Sequence, residues 1–334
     1  MIDLFRSSIY HLNLNMKTFR IKMKYNFLNA LLITVFVTIG SCTSSGDKTQ
    51  TQINQLPDSI VTVGKEPISN LKAEDGVIKP VELTIATWNI RDLGRTKDAE
   101  EINKIAQIIR HIDLVAIQEV VAKDPAGAQA VAKIVEELNR MGANWDYRIS
   151  DPTNSPSAYS SERYAFLWKT SKVKLLNRAY LDADLEAVCD REPYIGKFQL
   201  TKGKDPFYVI NFHARRFNEQ PEDEIIHFKD YPERLKSDKI LLVGDFNLDE
   251  NHQVWNNLYR LGFKSSLKGV PTTLKTKCVQ NSYLNNSIDN IYYSTHSAQL
   301  FQSGAIDFVS SCENLEEARG LSDHLPVFAS FNLK

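Results

Sequence analysis

The stretch KILLVGDFNLD, residues 239–249, is the best starting point for the fold and function of this chain. Its aliphatic residues and Gly244 are typical of a buried strand, and Asp245 and Asn247 follow at its tip. Asp and Asn end many strands simply because their side chains bond to the local backbone in turns. The two residues therefore indicate a function only if other strands bring similar side chains to the same place.

Polar side chains also border five other aliphatic runs. These are Asn89 after TIATW, Glu119 after LVAIQ, His213 after YVINF, Asp289 and Asn290 before IYYS, and Asp323 and His324 before LPVFASF. Each alone is explained by a turn, an ion pair or a semi-buried histidine. Separate explanations for six such strand ends are less economical than one. Carboxylates and histidines beside a core cost folding free energy unless they are paired or bind metal. The sequence therefore predicts one convergent cluster.

The side chains of this predicted cluster suit a narrow range of chemistry. Carboxylate and amide oxygens are hard ligands, which Mg²⁺ prefers while it retains waters and phosphate oxygens. Histidines exchange protons near neutral pH, and neighbouring carboxylates can fix their tautomers. A metal ion combined with an acid and a base indicates hydrolysis of phosphate esters.

Strand and helix patterns alternate from Val81 to the C-terminus. DAEEINKIAQIIR has helical periodicity, with Asp98 as N-cap and Glu101 completing a capping box, and a second amphipathic helix ends at Gly142. Many strands with few helices between the middle ones predict an α/β fold, a four-layer sandwich of two mixed β-sheets with helices outside. One domain over residues 81–334 is of ordinary size.

The N-terminal region is predicted to be a targeting signal rather than part of this domain. Basic residues precede the apolar run FLNALLITVFVTI, which predicts a signal peptide over residues 1–41. Its end, TIGSC, resembles a bacterial lipobox, so Cys42 is expected to carry a lipid; a plain secretory signal is the alternative. Residues 42–80 are polar and are predicted to form a flexible tether. We expect an exported protein, anchored to the periplasmic or outer face of a bacterial envelope.

Composition and charge limit the partners of the chain. It has 334 residues, of which 43% are hydrophobic and 24% charged, as in ordinary globular proteins. Removal of residues 1–41 leaves a net charge of −5, which excludes a broad basic surface for nucleic acid and makes polyanion binding local or metal-assisted. Of the remaining cysteines, Cys189, Cys278 and Cys312, export permits one disulfide and one free thiol, and their spacing matches no zinc site.

Seven motifs occur in the order found in the endonuclease/exonuclease/phosphatase superfamily: TWNI, IQEV, SERYAFLW, NFHARR, GDFNLD, SIDNIYYS and SDHLPV. SERYAFLW and REPYIGKF more particularly resemble the deoxyribonuclease I branch. The resemblance implies a monomeric Mg²⁺-dependent endonuclease acting on DNA, with Mn²⁺ as a possible substitute. In that branch Ca²⁺ also stabilises loops, although no loop of this sequence demonstrates such a site.

The resemblance also implies a role for each matching residue. Asn89, Glu119 and Asp323 would hold the metal. His213 with Glu162, and His324 with Asp289, would form two acid/base dyads, and Asp245 and Asn247 would orient water or stabilise the transition state. The implied substrate-binding residues are Arg91, Tyr159, Arg163, Arg191, Arg215 and Asn290, for which surface ion pairing is the ordinary explanation of the arginines.

The chain also departs from the deoxyribonuclease I pattern. The loop before Glu162 offers Tyr159 but no arginine for the minor groove, and Val121 replaces an arginine of that branch. We therefore expect intact hydrolysis but weaker grip on duplex DNA, with Arg215 and Arg216 as replacement phosphate contacts. A secreted phosphoesterase for phospholipid headgroups or small phosphate compounds, and a non-catalytic binding lipoprotein, are the alternatives.

Overall fold

A computed structural model of the protein describes residues 61–63, 81–123, 125–157 and 160–334. The predicted signal peptide, most of the predicted tether, the lipidation site Cys42 and the predicted substrate contact Tyr159 lie outside these residues. Within the described part of the chain, no helix is long and apolar enough to cross a membrane.

The first sheet has seven strands in the order β1-β15-β16-β2-β3-β5-β4. Only β2 and β3 are parallel neighbours, so the sheet is mixed. Its strands are β1 (Val61–Val63), β2 (Leu83–Leu93), β3 (Leu114–Val121), β4 (Trp145–Ile149), β5 (Glu162–Lys169), β15 (Ala298–Asp307) and β16 (Val327–Leu333).

The second sheet is also mixed and follows the order β11-β14-β10-β9-β8-β6, with β7 paired to β8. Its parallel neighbours are β9 and β10. Its strands are β6 (Val173–Leu175), β7 (Tyr180–Leu181), β8 (Tyr194–Leu200), β9 (Pro206–His213), β10 (Ile240–Asp245), β11 (Phe263–Ser265) and β14 (Asp289–Ser294). A separate hairpin joins β12 (Leu274–Val279) to β13 (Ser282–Leu284).

The helices pack against the two sheets. They are α1 (Ala99–Ile109), α2 (Ala126–Arg140), α3 (Glu222–Ile225), α4 (Tyr231–Leu235), α5 (Asn256–Arg260) and α6 (Leu315–Leu321). One apolar cluster lies between the sheets, a second packs α1 and α2 on the first sheet, and a third packs α3, α4 and α5 on the second. The predicted four-layer sandwich is confirmed.

Local predictions held where the periodicity was strong. Helix α1 has Asp98 as its N-cap, and both hydrogen bonds of the predicted capping box with Glu101 are present. Strands β5 and β8 contain most of the SERYAFLW and REPYIGKF motifs and span Glu162–Lys169 and Tyr194–Leu200. Within the segment predicted as a tether, Val61–Val63 form a short strand that pairs with β15.

Strand register brings the polar strand ends of the second sheet together. Asp245 at the end of β10 pairs with His213 on β9 and with Asp289 on β14. The three residues therefore lie side by side at the same end of the second sheet. Gly244 makes this arrangement possible. Its φ is 151°, and a Cβ at this position would lie 1.8 Å from the carbonyl oxygen of Phe212.

Candidate active site

Two histidine–carboxylate pairs form the centre of the site. The Nδ1 atom of His213 lies 2.9 Å from Oε2 of Glu162, and Nδ1 of His324 lies 2.9 Å from Oδ2 of Asp289. Both Nε2 atoms face Oδ2 of Asp245, at 3.6 Å for His213 and 3.7 Å for His324. In both pairs, therefore, the carboxylate fixes the imidazole through Nδ1 and leaves Nε2 directed at the centre of the site.

Burial and charge change the pKa values of these groups. Burial disfavours the His324 imidazolium, but Asp289 and Asp245 outweigh this effect and raise its pKa to about 10. Burial and Arg191 oppose the charge on His213, yet Glu162 and Asp245 hold its pKa above the ordinary value. Burial favours neutral Glu162, but His213 and Arg191 lower its pKa overall. In both pairs the neighbouring carboxylates thus stabilise the positive charge of the protonated imidazole.

Burial also raises the pKa of Asp289, although His324 and a hydroxyl hydrogen bond oppose this rise. The hydroxyl belongs to Thr272, whose Oγ1 donates to Oδ2 of Asp289 over 2.7 Å. The same Oγ1 accepts from the backbone N–H of Asp289. Thr272 therefore holds the carboxylate in place for His324.

Asn89 and Glu119 extend the cluster on the side of the first sheet. The Nδ2 atom of Asn89 donates to Oε1 of Glu119 over 3.0 Å and to Oδ2 of Asp245 over 3.1 Å. The buried Oδ1 atom of Asn89 has no hydrogen-bond partner among the described residues. An orphaned buried oxygen is costly, and beside a carboxylate it fits a cation ligand. Glu119 adopts the left-handed φ of 59°, a strained conformation that is common at functional sites.

The described residues include one group of three metal-capable side chains, Asp245, Asp289 and His324, whose ligand atoms lie within 4.8 Å of one another. Asn89 adjoins this group through its hydrogen bond to Oδ2 of Asp245, and Glu119 adjoins Asn89. This donor set fits a hard divalent cation.

Asp323, the third predicted metal ligand, lies at the rim of the cluster. Its Oδ2 accepts from Nη1 of Arg91 at 3.3 Å and from Nη2 of Arg319 at 3.5 Å. The Arg91 side chain is 44% exposed, so its guanidinium can reach a bound anion while it contacts Asp323. Asn247, the second predicted residue of the GDFN motif, is held by its backbone N–H to Oδ1 of Asp245 and by Nδ2 to the Ala214 carbonyl.

Three predicted substrate contacts, Arg191, Arg215 and Asn290, have polar groups that already bond within the fold. Arg191 is almost buried and donates to the carbonyl oxygens of His213 and Ala214. It therefore holds the backbone of the residue that forms the first dyad with Glu162. Arg215 contacts Glu224 at 3.1 Å and donates to the Val188 carbonyl.

Asn290 is the third of these. It is 4% exposed and bonds to Ser266, Leu267 and Ile291, on the side of β14 opposite to Asp289. The remaining predicted contact, Arg163, is half-buried and follows Glu162 on β5. Its Nη1 atom donates to the Ser150 carbonyl.

Two supporting residues were not predicted, besides Thr272. Ser322 donates its hydroxyl to the Asn89 carbonyl and accepts from the His324 backbone N–H, which links the two sides of the site. The Tyr164 hydroxyl accepts from the backbone N–H of His213 over 3.2 Å. Ser322 lies in the SDH motif and could have been found there, whereas Tyr164 carried no signal beyond strand periodicity.

The model of the Endonuclease/Exonuclease/phosphatase family matches residues 86–324, which include every dyad residue. The chain belongs to this family. Among its relatives, deoxyribonuclease-1-like 1 of Sus scrofa is 30% identical over 259 residues, covering 73% of this chain and 79% of the relative. A deoxyribonuclease of Thioalkalivibrio sp. (strain K90mix) is 27% identical over 269 residues, covering 75% and 71%.

Solved structures of the family share the fold at lower identity. A family protein from Bacteroides vulgatus superposes with a TM-score of 0.57 at 16% identity, over 75% of this chain and 99% of the other. The human Nocturnin catalytic domain with bound sulfate gives a TM-score of 0.52 at 17% identity, over 76% and 94%. Enzymes of the family with deoxyribonuclease I-like sequences depend on divalent metals. The chain is a hydrolase of this family.

Proposed function

We propose that this protein is a Mg²⁺-dependent endodeoxyribonuclease, exported and held by a lipid on Cys42 at a bacterial envelope. The single observation that carries the proposal is the pair of dyads whose Nε2 atoms face Asp245 over 3.6 and 3.7 Å. Cleavage of a phosphodiester needs one group that takes a proton from water and another that gives a proton to the leaving oxygen. Two oriented imidazoles on either side of one carboxylate supply both.

The roles of the surrounding residues follow from their contacts. The histidine that acts as the base does so in its neutral form, whose Nε2 accepts the proton of the attacking water as the water oxygen bonds to phosphorus. Nε2 of the other donates a proton to the ester oxygen as its bond to phosphorus breaks. Glu162 and Asp289 keep Nδ1 protonated in the resting pairs, which fixes the direction of both imidazoles.

The residues that would hold the divalent ion are Asn89 and Glu119, with Asp323 nearby. When bound, Mg²⁺ supplies charge that stabilises the phosphate oxygens as the bond to phosphorus is exchanged. The orphaned Oδ1 of Asn89 supports this assignment, since Nδ2 of the same amide contacts the Glu119 carboxylate. Mn²⁺, which accepts the same oxygen ligands, is the expected substitute.

Two observations favour DNA over other phosphodiesters. The relatives at 30% and 27% identity are named deoxyribonuclease-1-like 1 and deoxyribonuclease. The half-exposed Arg91 at the rim of the cluster is placed to contact a second phosphate of the same strand. The net charge of −5 on the mature chain predicts that such contacts are few and that DNA binding is weak, so activity should fall as salt screens them.

The test is conversion of supercoiled plasmid to nicked circles by the purified mature chain, with Mg²⁺, with Mn²⁺ and with EDTA. We expect nicking that needs the metal and declines from low to physiological salt. The control is Glu136→Gln, which changes an exposed carboxylate on α2 far from the motifs. Hydrolysis of a phospholipid headgroup or sugar phosphate without any nicking would contradict the proposal and favour a phosphoesterase. Turnover of neither would favour a binding lipoprotein.

A further inference from the structure

The loop after His213 carries an unusual side chain. Phe217 is 74% exposed, more than any other large hydrophobic residue in the described part of the chain; the next, Val279, is 54% exposed. A single exposed aliphatic residue is ordinary, but an exposed phenylalanine leaves a large apolar ring in water. The exposed ring is therefore a candidate contact for a ligand.

The loop is tied directly to the active site. The Ala214 backbone N–H donates to the Asp245 carbonyl, and the Ala214 carbonyl accepts from Asn247 and Arg191. Phe217 follows His213 by four residues, so the two Cα atoms are at most roughly 14 Å apart, even for an extended chain. The ring is therefore carried by a residue only four positions along the chain from the first dyad.

The loop is also shaped by its own hydrogen bonds. The backbone N–H of Arg215 donates to Glu224, the N–H of Arg216 donates to the Glu219 carboxylate, and the N–H of Glu219 donates to the Arg216 carbonyl. A short 3₁₀ turn over Phe217–Glu219 follows and ends at Gln220, whose φ is 59°. These bonds fix a turn that presents Phe217 outward, with the exposed Arg216 beside it.

We infer that Phe217 is a stacking platform for an unpaired nucleobase next to the cleaved phosphate, with Arg216 contacting the adjoining backbone. This rests on the proposed nuclease function and narrows its substrate to single-stranded or locally opened DNA. An aromatic ring beside a cationic side chain is the combination that binds single strands, because every base offers a face for stacking. A base inside a duplex cannot cover the ring, whereas a strand that leaves the duplex can.

The experiment measures binding of a labelled 12-nucleotide single strand in Mg²⁺, in a His324→Ala background so that the strand is not consumed. Phe217→Ala should weaken binding by roughly five- to hundredfold, the range for loss of one stacked base. Phe217→Trp should restore it, and Phe217→Leu, which keeps apolar area without the ring, should not. Val279→Ala, an exposed apolar position on β12, is the matched control and should bind normally.

A scan of abasic positions along the strand identifies the stacked base. At one position, removal of the base should weaken binding to the protein that retains Phe217 by the same factor as Phe217→Ala does. At that position, removal of the base should not weaken binding to the Phe217→Ala variant any further. The same variants are compared with anionic phospholipid vesicles. Equal DNA binding by Phe217→Ala and Val279→Ala, or loss of vesicle binding alone, would overturn the inference while leaving the nuclease in place. Failure of the protein with intact His324 to cleave any DNA would overturn both.

Discussion

His213 and His324 direct their Nε2 atoms at the same oxygen, Oδ2 of Asp245, from distances of 3.6 and 3.7 Å. The two imidazoles belong to different sheets. His213 is the last residue of β9 in the second sheet, and His324 lies shortly before β16 in the first sheet. Because Nδ1 of each is held by a buried carboxylate, neither ring can turn its Nε2 away without losing a charged hydrogen bond. A phosphate between them would meet two proton-transfer groups at fixed positions.

The first prediction concerns these two histidines. His213→Ala and His324→Ala should each lower the rate of DNA cleavage by roughly a hundred- to ten-thousandfold, as expected for loss of a general acid or base. The cleavage rate of the double variant should fall by far less than the product of the two single-variant factors, because the effects of groups that act as a unit are not additive. Single-turnover rates on one oligonucleotide measure this, with circular dichroism as the folding control. Folded single variants that cleave at the original rate from pH 6 to 8 would reject both roles.

The second prediction concerns metal binding. Glu119→Gln and Asn89→Ala should each raise the Mg²⁺ concentration needed for half-maximal activity and lower the maximal rate, because each removes an oxygen donor from the proposed site. Titration of nicking rate against Mg²⁺ separates the two effects. The exposed Glu136→Gln should leave the titration curve unchanged. A lower maximal rate at an unaltered Mg²⁺ midpoint would show that these residues serve another purpose.

The core of the site could be predicted from sequence because it lies at strand ends, where aliphatic periodicity marks the strand and the next polar residue marks its tip. The register then places Asp245 between His213 and Asp289, a juxtaposition that the sequence alone does not specify. Asn290 could have been excluded in the same way. Consecutive residues of a strand face opposite sides, so Asp289 and Asn290 could not both join the cluster.

The positions of other residues at the site could not be predicted from the sequence. Thr272 comes from an irregular segment between β11 and β12, where no periodicity predicts a position. Arg191 and Arg215 look like surface cations in sequence, and only the tertiary structure shows that backbone carbonyls and Glu224 engage their guanidinium groups. The long strand β15 was missed because its Gln, Ser and Gly residues break the apolar alternation.

The third prediction concerns pH and the metal-free protein. The pKa of His324 is raised from 6.5 to about 10, so the folded state holds this proton more tightly than the unfolded state does. Its stabilising contribution is complete below about pH 6.5 and is lost as the pH rises toward about 10. In EDTA, the difference in unfolding free energy between the original protein and His324→Gln should therefore shrink across this interval. A constant difference, measured by urea denaturation at several pH values, would contradict the shift.

The fourth prediction concerns the disulfide between Cys278 on β12 and Cys312 before α6, which closes a separation of 34 residues. A loop of that length contributes about 4 kcal/mol in the chain-entropy model. Cys278→Ser with Cys312→Ser should lower the unfolding free energy by an amount of this order. Cys189→Ala, at the buried free thiol, is the control for cysteine replacement without loss of the bridge. Equal stability of the double variant and the oxidised parent would show that the bridge does not constrain the unfolded chain.

The disulfide variant should also affect the site. Arg319 of α6 donates to the Leu274 carbonyl on β12, and the backbone N–H of Leu274 donates to the Asp323 carbonyl, next to His324. Loosening β12 from α6 therefore disturbs both Asp323 and His324. We expect a higher Mg²⁺ requirement in the reduced protein at temperatures where it remains folded, measured with and without dithiothreitol.

The fifth prediction tests the proposed anchor. Cys42 follows an apolar run and the residues TIGS, and lipidation at this cysteine would retain the protein after the signal peptide is removed. A single acyl chain binds a membrane only weakly, so stable retention requires the several chains of a bacterial lipoprotein. Cys42→Ser should move the protein from the membrane fraction to the soluble fraction and leave plasmid nicking intact. Cys189→Ala, which removes a thiol outside the signal region, should remain with the membranes. Equal membrane retention of Cys42→Ser and the original protein would rule out the lipid anchor, and the plain secretory signal would then be the better interpretation of residues 1–41.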